Sequence, residues 1–179
     1  MKKIALAILG ILLFSSCFAP IQITEENREI HNFQVNNGVI SWSYIYDAAS
    51  DIEDVKSWFE ENFIISQNKG DKIIGKTEEN TIPYKRVGYS SGNVLLLFQH
   101  PCEVYFTALF KDNRYKVIVE RISWNATLNG TRVTSSLQEV AFKDGGYNPA
   151  FVNYAGEQLD KCLYHIFDAR ITNEEDIDW

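Results

Sequence analysis

From Val39 onward apolar and polar residues alternate, placing Ile40, Trp42, Tyr44 and Tyr46 on one side of a period-two segment. That pattern predicts a strand with one buried face. The period then changes: Ile52, Val55, Trp58, Phe59 and Phe63 follow at helical spacing, and Ser50 with Glu53 has the form of a capping box. A helix is predicted from about Asp51 to Asn62. Asn68-Lys69-Gly70-Asp71 next supplies a turn between the run Phe63-Ile64-Ile65 and the strand-like stretch Lys72 to Thr77, which predicts a hairpin. Two further strands are expected over Ile82 to Tyr89 and Val94 to Phe98, joined by the turn Ser90-Ser91-Gly92-Asn93. Pro83 pushes the first of them toward a sheet edge or a strand start.

The sharpest local pattern spans Cys102 to Ile122, around the dipeptide Asp112-Asn113, whose residues tolerate the positive φ angles of a tight turn. Pairing Lys111 with Arg114 sets Phe110 opposite Tyr115, Ala108 opposite Val117 and Phe106 opposite Val119, so both strands turn apolar residues to one face. Asn129-Gly130 marks another hairpin, leading through Thr131 to Ser135 and on toward Phe142. After Gly145-Gly146, Asn148 offers an N-cap and Pro149 a first-turn proline. A long helix should follow, with Phe151, Val152, Ala155, Leu159, Cys162, Leu163, Ile166 and Phe167 as its apolar stripe. The expected fold is α+β: an antiparallel sheet of about six or seven strands packed against two helices, in the order strand, helix, strands, helix. A sheet gripped by one long helix is also the plan of helix-grip proteins, which is the alternative.

The front of the chain follows another logic. Lys2 and Lys3 precede an apolar run from Ile4 to Phe14, which is too short to span a bilayer and has the form of a secretory signal. Phe14-Ser15-Ser16-Cys17 resembles the lipobox of bacterial lipoproteins, which implies acylation of Cys17 and a lipid anchor in the cell envelope, at the outer membrane or its periplasmic face. The alternative is ordinary cleavage after Ala19 to give a soluble periplasmic protein, although Pro20 would then follow the cut. Residues 1–17 are thus read as a lipoprotein signal, and 18–37, which include Thr24 to Glu29 and lack either hydrophobic period, as a tether. A single α+β domain is assigned to 38–172 and an acidic tail to 173–179.

Composition agrees with one packed domain: 179 residues, 45% hydrophobic and 13% aromatic, are far from the make-up of a disordered chain. The formal charge of −7 becomes more negative once Lys2 and Lys3 are removed, which argues against a nucleic-acid partner. No nucleophile elbow, phosphate-binding glycine loop or paired-histidine metal helix is present, and His31, His100 and His165 have no partner motif nearby. Glu53, Asp54, Glu60 and Glu61 fall on the solvent side of the first helix. No catalytic residue, metal or cofactor is therefore expected. In an oxidising envelope Cys102 and Cys162 either pair or remain buried thiols. Trp42, Tyr44, Trp58 and Trp124 are the candidates for an aromatic groove that takes a glycan or an apolar ligand.

Between Ile40 and Ile122 the chain resembles a family of exported Bacteroidetes domains of unknown function with a TBP-like fold. The resemblance is carried by Lys56-x-Trp58-Phe59, Ile73-Ile74-Gly75-Lys76, Phe110-Lys111-Asp112-Asn113-Arg114-Tyr115 and Val119-Glu120-Arg121-Ile122. That family commonly has glycine where this chain has Asn113. The resemblance implies a TBP-like fold and an envelope location, and brings no catalytic or binding residue with it. The function expected is that of a non-enzymatic envelope domain binding another protein or a cell-surface component; the alternative is a helix-grip carrier of a small apolar ligand.

Overall fold

The computed structural model describes residues 19–48, 51–128 and 131–170. In chain order its elements are β1 (Glu29–Ile30), β2 (Phe33–Asn36), β3 (Val39–Asp47), α1 (Ile52–Asn62), β4 (Ile64–Asn68), β5 (Lys72–Lys76), β6 (Cys102–Lys111), β7 (Arg114–Leu128), β8 (Thr131–Ser136), α2 (Leu137–Ala141), β9 (Phe142–Lys143), β10 (Gly146–Tyr147) and α3 (Gly156–Phe167). The expected leader, Cys17 and the acidic tail lie outside the described residues, as do Ser50 and the Asn129-Gly130 turn.

Eight strands form one antiparallel sheet in the order β1-β2-β3-β7-β6-β5-β4, and β8 pairs with β7 beyond the end of β3. The β6–β7 hairpin has the register set by its turn, with Lys111 opposite Arg114 and Phe106 opposite Val119. Of the two turn residues, Asp112 takes the left-handed conformation, at φ 55°. Past Val119 the ladder skips one position so that Tyr105 meets Arg121, leaving Glu120 as a bulge.

α1 begins where the Asp51 carboxylate accepts from the Glu53 N–H at 3.0 Å, and Glu53 and Asp54 in its first turn complement the helix dipole. The C-terminal helical run starts at Pro149, with the Asn148 side chain accepting from the Ala150 N–H, and passes through a π-helical turn at Phe151–Ala155 before α3. Both long helices lie on the same face of the sheet. Phe167 of α3 joins them, 5.4 Å from Phe63, 6.5 Å from Phe59 and 5.1 Å from Phe106 between ring centres. Trp42, Tyr46, Tyr115, Val117 and Val119 complete the buried layer; fully burying a side chain of this size contributes about 1.5–3 kcal/mol.

Three expectations need correction. Residues 18–37 are no free tether from Ile21 onward. Ile21 and Tyr147 exchange backbone hydrogen bonds of 2.9 and 2.7 Å, and β2 pairs along β3 with Phe33 and Val35 buried. The overlooked signal is Asn37-Gly38, both at positive φ, a two-residue turn of the kind that joins hairpin strands. Second, residues 82–89 and 94–98 are not strands. Short-range hydrogen bonds such as Gly88 N–H to Lys85 O and Phe98 N–H to Leu95 O curl them into turns and a 3-10 helix at Leu96–Gln99. Their apolar residues Ile82, Tyr84 and Phe98 plug one end of the core. Third, the strand continuing toward Phe142 is replaced by α2, a third helix capped by Ser136, whose capping partner Glu139 reaches back to the Ser136 N–H at 2.7 Å.

Candidate functional site

The long segment that displaces the expected strands creates a cleft. Its beginning is pinned to β6 by Thr77 N–H to Val104 O at 3.0 Å, by Val104 N–H to the Thr77 hydroxyl at 3.0 Å, and by reciprocal backbone bonds between Asn80 and Cys102. Beyond that anchor residues 81–99 form no strand pair with the sheet. Together with α1 and the end of α3 the segment encloses a cleft of about 230 Å³. Trp58 and Asn62 form one wall, Arg86 and Thr81 another, and His165 with Asp168 the third, over a floor of Val104 and Cys102.

Each wall is held by its own chemistry. Trp58 is half-buried, with its ring edge-on to Phe59 at 5.1 Å and to Phe63 at 5.4 Å. Burial first, and then the charge of Arg86, hold the His165 imidazole below its ordinary pKa, with Asp168 partly opposing them. The ring is consequently neutral at neutral pH and offers one donor and one acceptor. Burial opposes ionisation of Asp168, but the hydrogen bonds and charge of Arg170 outweigh it and keep the carboxyl below its usual range. Arg170 donates to the two Asp168 oxygens at 2.7 Å each, so this carboxylate is already engaged. Cys102 is a poor nucleophile, because burial pushes its thiol up to about 12. The cleft thus combines an indole, a guanidinium and a neutral imidazole, groups able to offer ring contact and hydrogen bonds.

Of the aromatic candidates, only Trp58 lines this cleft. Trp42 and Trp124 are completely buried, and Tyr44 is half-buried against Tyr46 and Tyr164. The four are not gathered into one groove: strand alternation sends Trp42 and Trp124 inward. Cys102 and Cys162 are both buried free thiols, each pushed up to about 12 chiefly by burial. Among the described residues no three histidine, cysteine, aspartate or glutamate side chains converge as metal ligands. Arg86 and His165 lie far apart in the sequence, and no motif links them. Asp160, also unforeseen, accepts from the Trp42 indole at 2.7 Å and from Asn32 at 2.8 Å, tying α3 to the β1–β2 turn and to β3.

No family model matches the chain, and no curated protein matches it in sequence. Two solved structures are similar to it in shape. One is a TBP-like protein from Parabacteroides distasonis ATCC 8503, 12% identical, with a TM-score of 0.45 over 74% of this chain and 86% of that one. The other is a DUF4468 family protein from Bacteroides ovatus ATCC 8483, 14% identical, with a TM-score of 0.42 over 82% of this chain and 90% of that one. The α+β class rests on the chain's own strand order, with helices on one face of an antiparallel sheet.

Proposed function

We propose that this chain is a lipid-anchored envelope domain that acts by binding, and that it recognises its ligand in the cleft between Trp58, Arg86 and His165. The convergence of those three side chains from three separate elements carries the reading. A ligand with a flat face and an anionic or carbonyl group suits them, as a sugar acid or an acidic peptide end would. Packing favours this over the apolar carrier. A carrier needs an empty apolar cavity under its long helix, whereas Phe59, Phe106, Tyr115 and Phe167 pack ring against ring there.

The anchor half of the proposal rests on the lipobox-like Phe14 to Cys17. Ile21 is already bonded into the fold, and four residues of extended chain reach about 14 Å at most. An acylated Cys17 therefore holds the domain against the membrane surface, with no long spacer between.

Two experiments test these halves separately. Cys17→Ala should move the protein out of the membrane fraction and abolish lipid labelling; unlabelled protein that fractionates identically in both forms removes the anchor. For the cleft, full-length protein is screened against anionic sugars and acidic peptides by tryptophan fluorescence. Binders should lose about tenfold or more in affinity on Arg86→Ala, measured on protein verified as folded by circular dichroism. Binders indifferent to both Arg86→Ala and Trp58→Ala place recognition elsewhere.

A further inference from the structure

The sheet face turned away from the helices has a pattern of its own, set by the register. Across β5, β6, β7 and β3 the outward residues line up as Lys72, Leu109, Lys116 and Ile45, and in the next row as Ile74, Thr107, Ile118 and Ser43. Lys76, Tyr105 and Arg121 form a third row. Between the second and third rows lies an open trough of about 450 Å³, with Ile74, Thr107 and Ile118 among its lining and Ile64 at its rim. A groove of about 290 Å³ between Ile45, Leu109, Arg114 and Lys116 extends the surface toward the β6–β7 turn. Large apolar side chains stay in water here: Ile45 is 56% exposed, Ile64 48% and Leu109 37%.

Charge on this face runs against that of the whole chain, which is −7. Glu103 is taken up by Lys76 and also accepts from the Tyr105 hydroxyl, while the Arg121 guanidinium lies 3.5 Å over the Tyr105 ring. Glu120 sits beside Arg121 at the bulge. Lys72 and Lys116 flank Leu109 on the ladder, and neither side chain has an ion pair or hydrogen bond to a described residue. Meanwhile Glu53, Asp54, Glu60 and Glu61 expose their charge on α1, across the sheet.

We propose that this open face docks an extended acidic polypeptide segment that also carries apolar side chains. Lysines without acidic partners beside exposed aliphatic residues call for a partner offering both carboxylates and apolar groups. Outward side chains along β6 and β7 recur about every 6.7 Å, which is also the step between side chains on one side of an extended segment. The apolar residues line a trough walled by longer lysine, arginine and tyrosine side chains. Such a recess admits a single chain and holds its apolar lining back from a flat lipid surface.

The test uses full-length protein and a short fluorescein-labelled peptide of alternating aspartate and isoleucine, followed by anisotropy. Saturable binding is expected, weakening as salt rises. Replacing Lys72 and Lys116 together by Gln should weaken it about tenfold, whereas Lys56→Gln and Lys85→Gln on the helical side leave it unchanged. Lys116→Gln alone carries the test with a smaller loss should the pair fail to fold. The proposal is overturned if the wild type shows no saturable binding, or if the Lys72 and Lys116 variants bind as tightly as wild type. It is equally overturned if phosphatidylglycerol vesicles capture the protein in preference to the peptide. Loss of cleft binding on Arg86→Ala leaves this surface untouched, so the two sites succeed or fail independently.

Discussion

Trp42 and Trp124 occupy equally buried positions, yet their indole N–H groups have different fates. The first donates to the Asp160 carboxylate at 2.7 Å, whereas the second has no hydrogen-bond partner among the described residues. Trp42→Phe should therefore cost about 1.5–3 kcal/mol for the charged hydrogen bond in addition to lost volume, and Trp124→Phe the volume alone. Urea denaturation of the two variants checks this; equal losses would contradict it. The cysteines give a second residue-scale prediction. With both thiols pushed up to about 12, a disulfide reagent at mild alkaline pH should leave native protein unlabelled and modify Cys102 and Cys162 only after unfolding. Failure to label them in unreduced, unfolded protein would reveal a bond between them. His165 and Asp168 both contribute to the acid limb of stability. A folded pKa below the unfolded one means that the unfolded chain binds more protons, so stability falls as pH drops through that window. For His165 the loss begins below about pH 6.5, and for Asp168 only below about pH 4. His165→Gln should flatten the first step and leave the second, as read by melting temperature against pH.

At the scale of elements, legibility followed local chemistry. The β6–β7 register was readable because turn residues and apolar alternation agreed over many positions, and α1 because its helical period is unbroken. β2 was missed although Asn37-Gly38 announced it, since Phe33 and Val35 are few and stand among polar neighbours. The 77–101 segment misled for the opposite reason: Ile82, Tyr84 and Phe98 are apolar because they plug the core end, a demand that pattern alone does not distinguish from a strand. The aromatic groove failed similarly, because an inward tryptophan on a strand reads the same whether it fills a core or lines a pocket. Arg86 and His165 meet only through tertiary packing and left no trace in sequence. Phe33→Ala discriminates strand from tether, with an expected loss of about 3–5 kcal/mol against almost none for a free linker. Gly75 is legible only in three dimensions: a Cβ there would lie 2.8 Å from the Ile64 carbonyl and 3.0 Å from the Phe106 ring. Gly75→Ala should accordingly destabilise the β4–β5 edge by about 1–3 kcal/mol.

The molecule as a whole separates its roles by face. Helices and sheet enclose an aromatic core, a cleft opens where α1, α3 and the 77–86 segment meet, and the opposite sheet face presents lysines and aliphatic residues to solvent. On the reading proposed above, recognition would take place on the surface of a filled domain, and a lipid on Cys17 would hold that domain close to the membrane. Native mass spectrometry of the protein extracted from envelopes tests that claim most directly. The account predicts a chain beginning at Cys17, heavier by its acyl groups and carrying no apolar small molecule in its interior. A chain retaining Met1 and unmodified at Cys17, or one that releases a bound apolar ligand on unfolding, would contradict it.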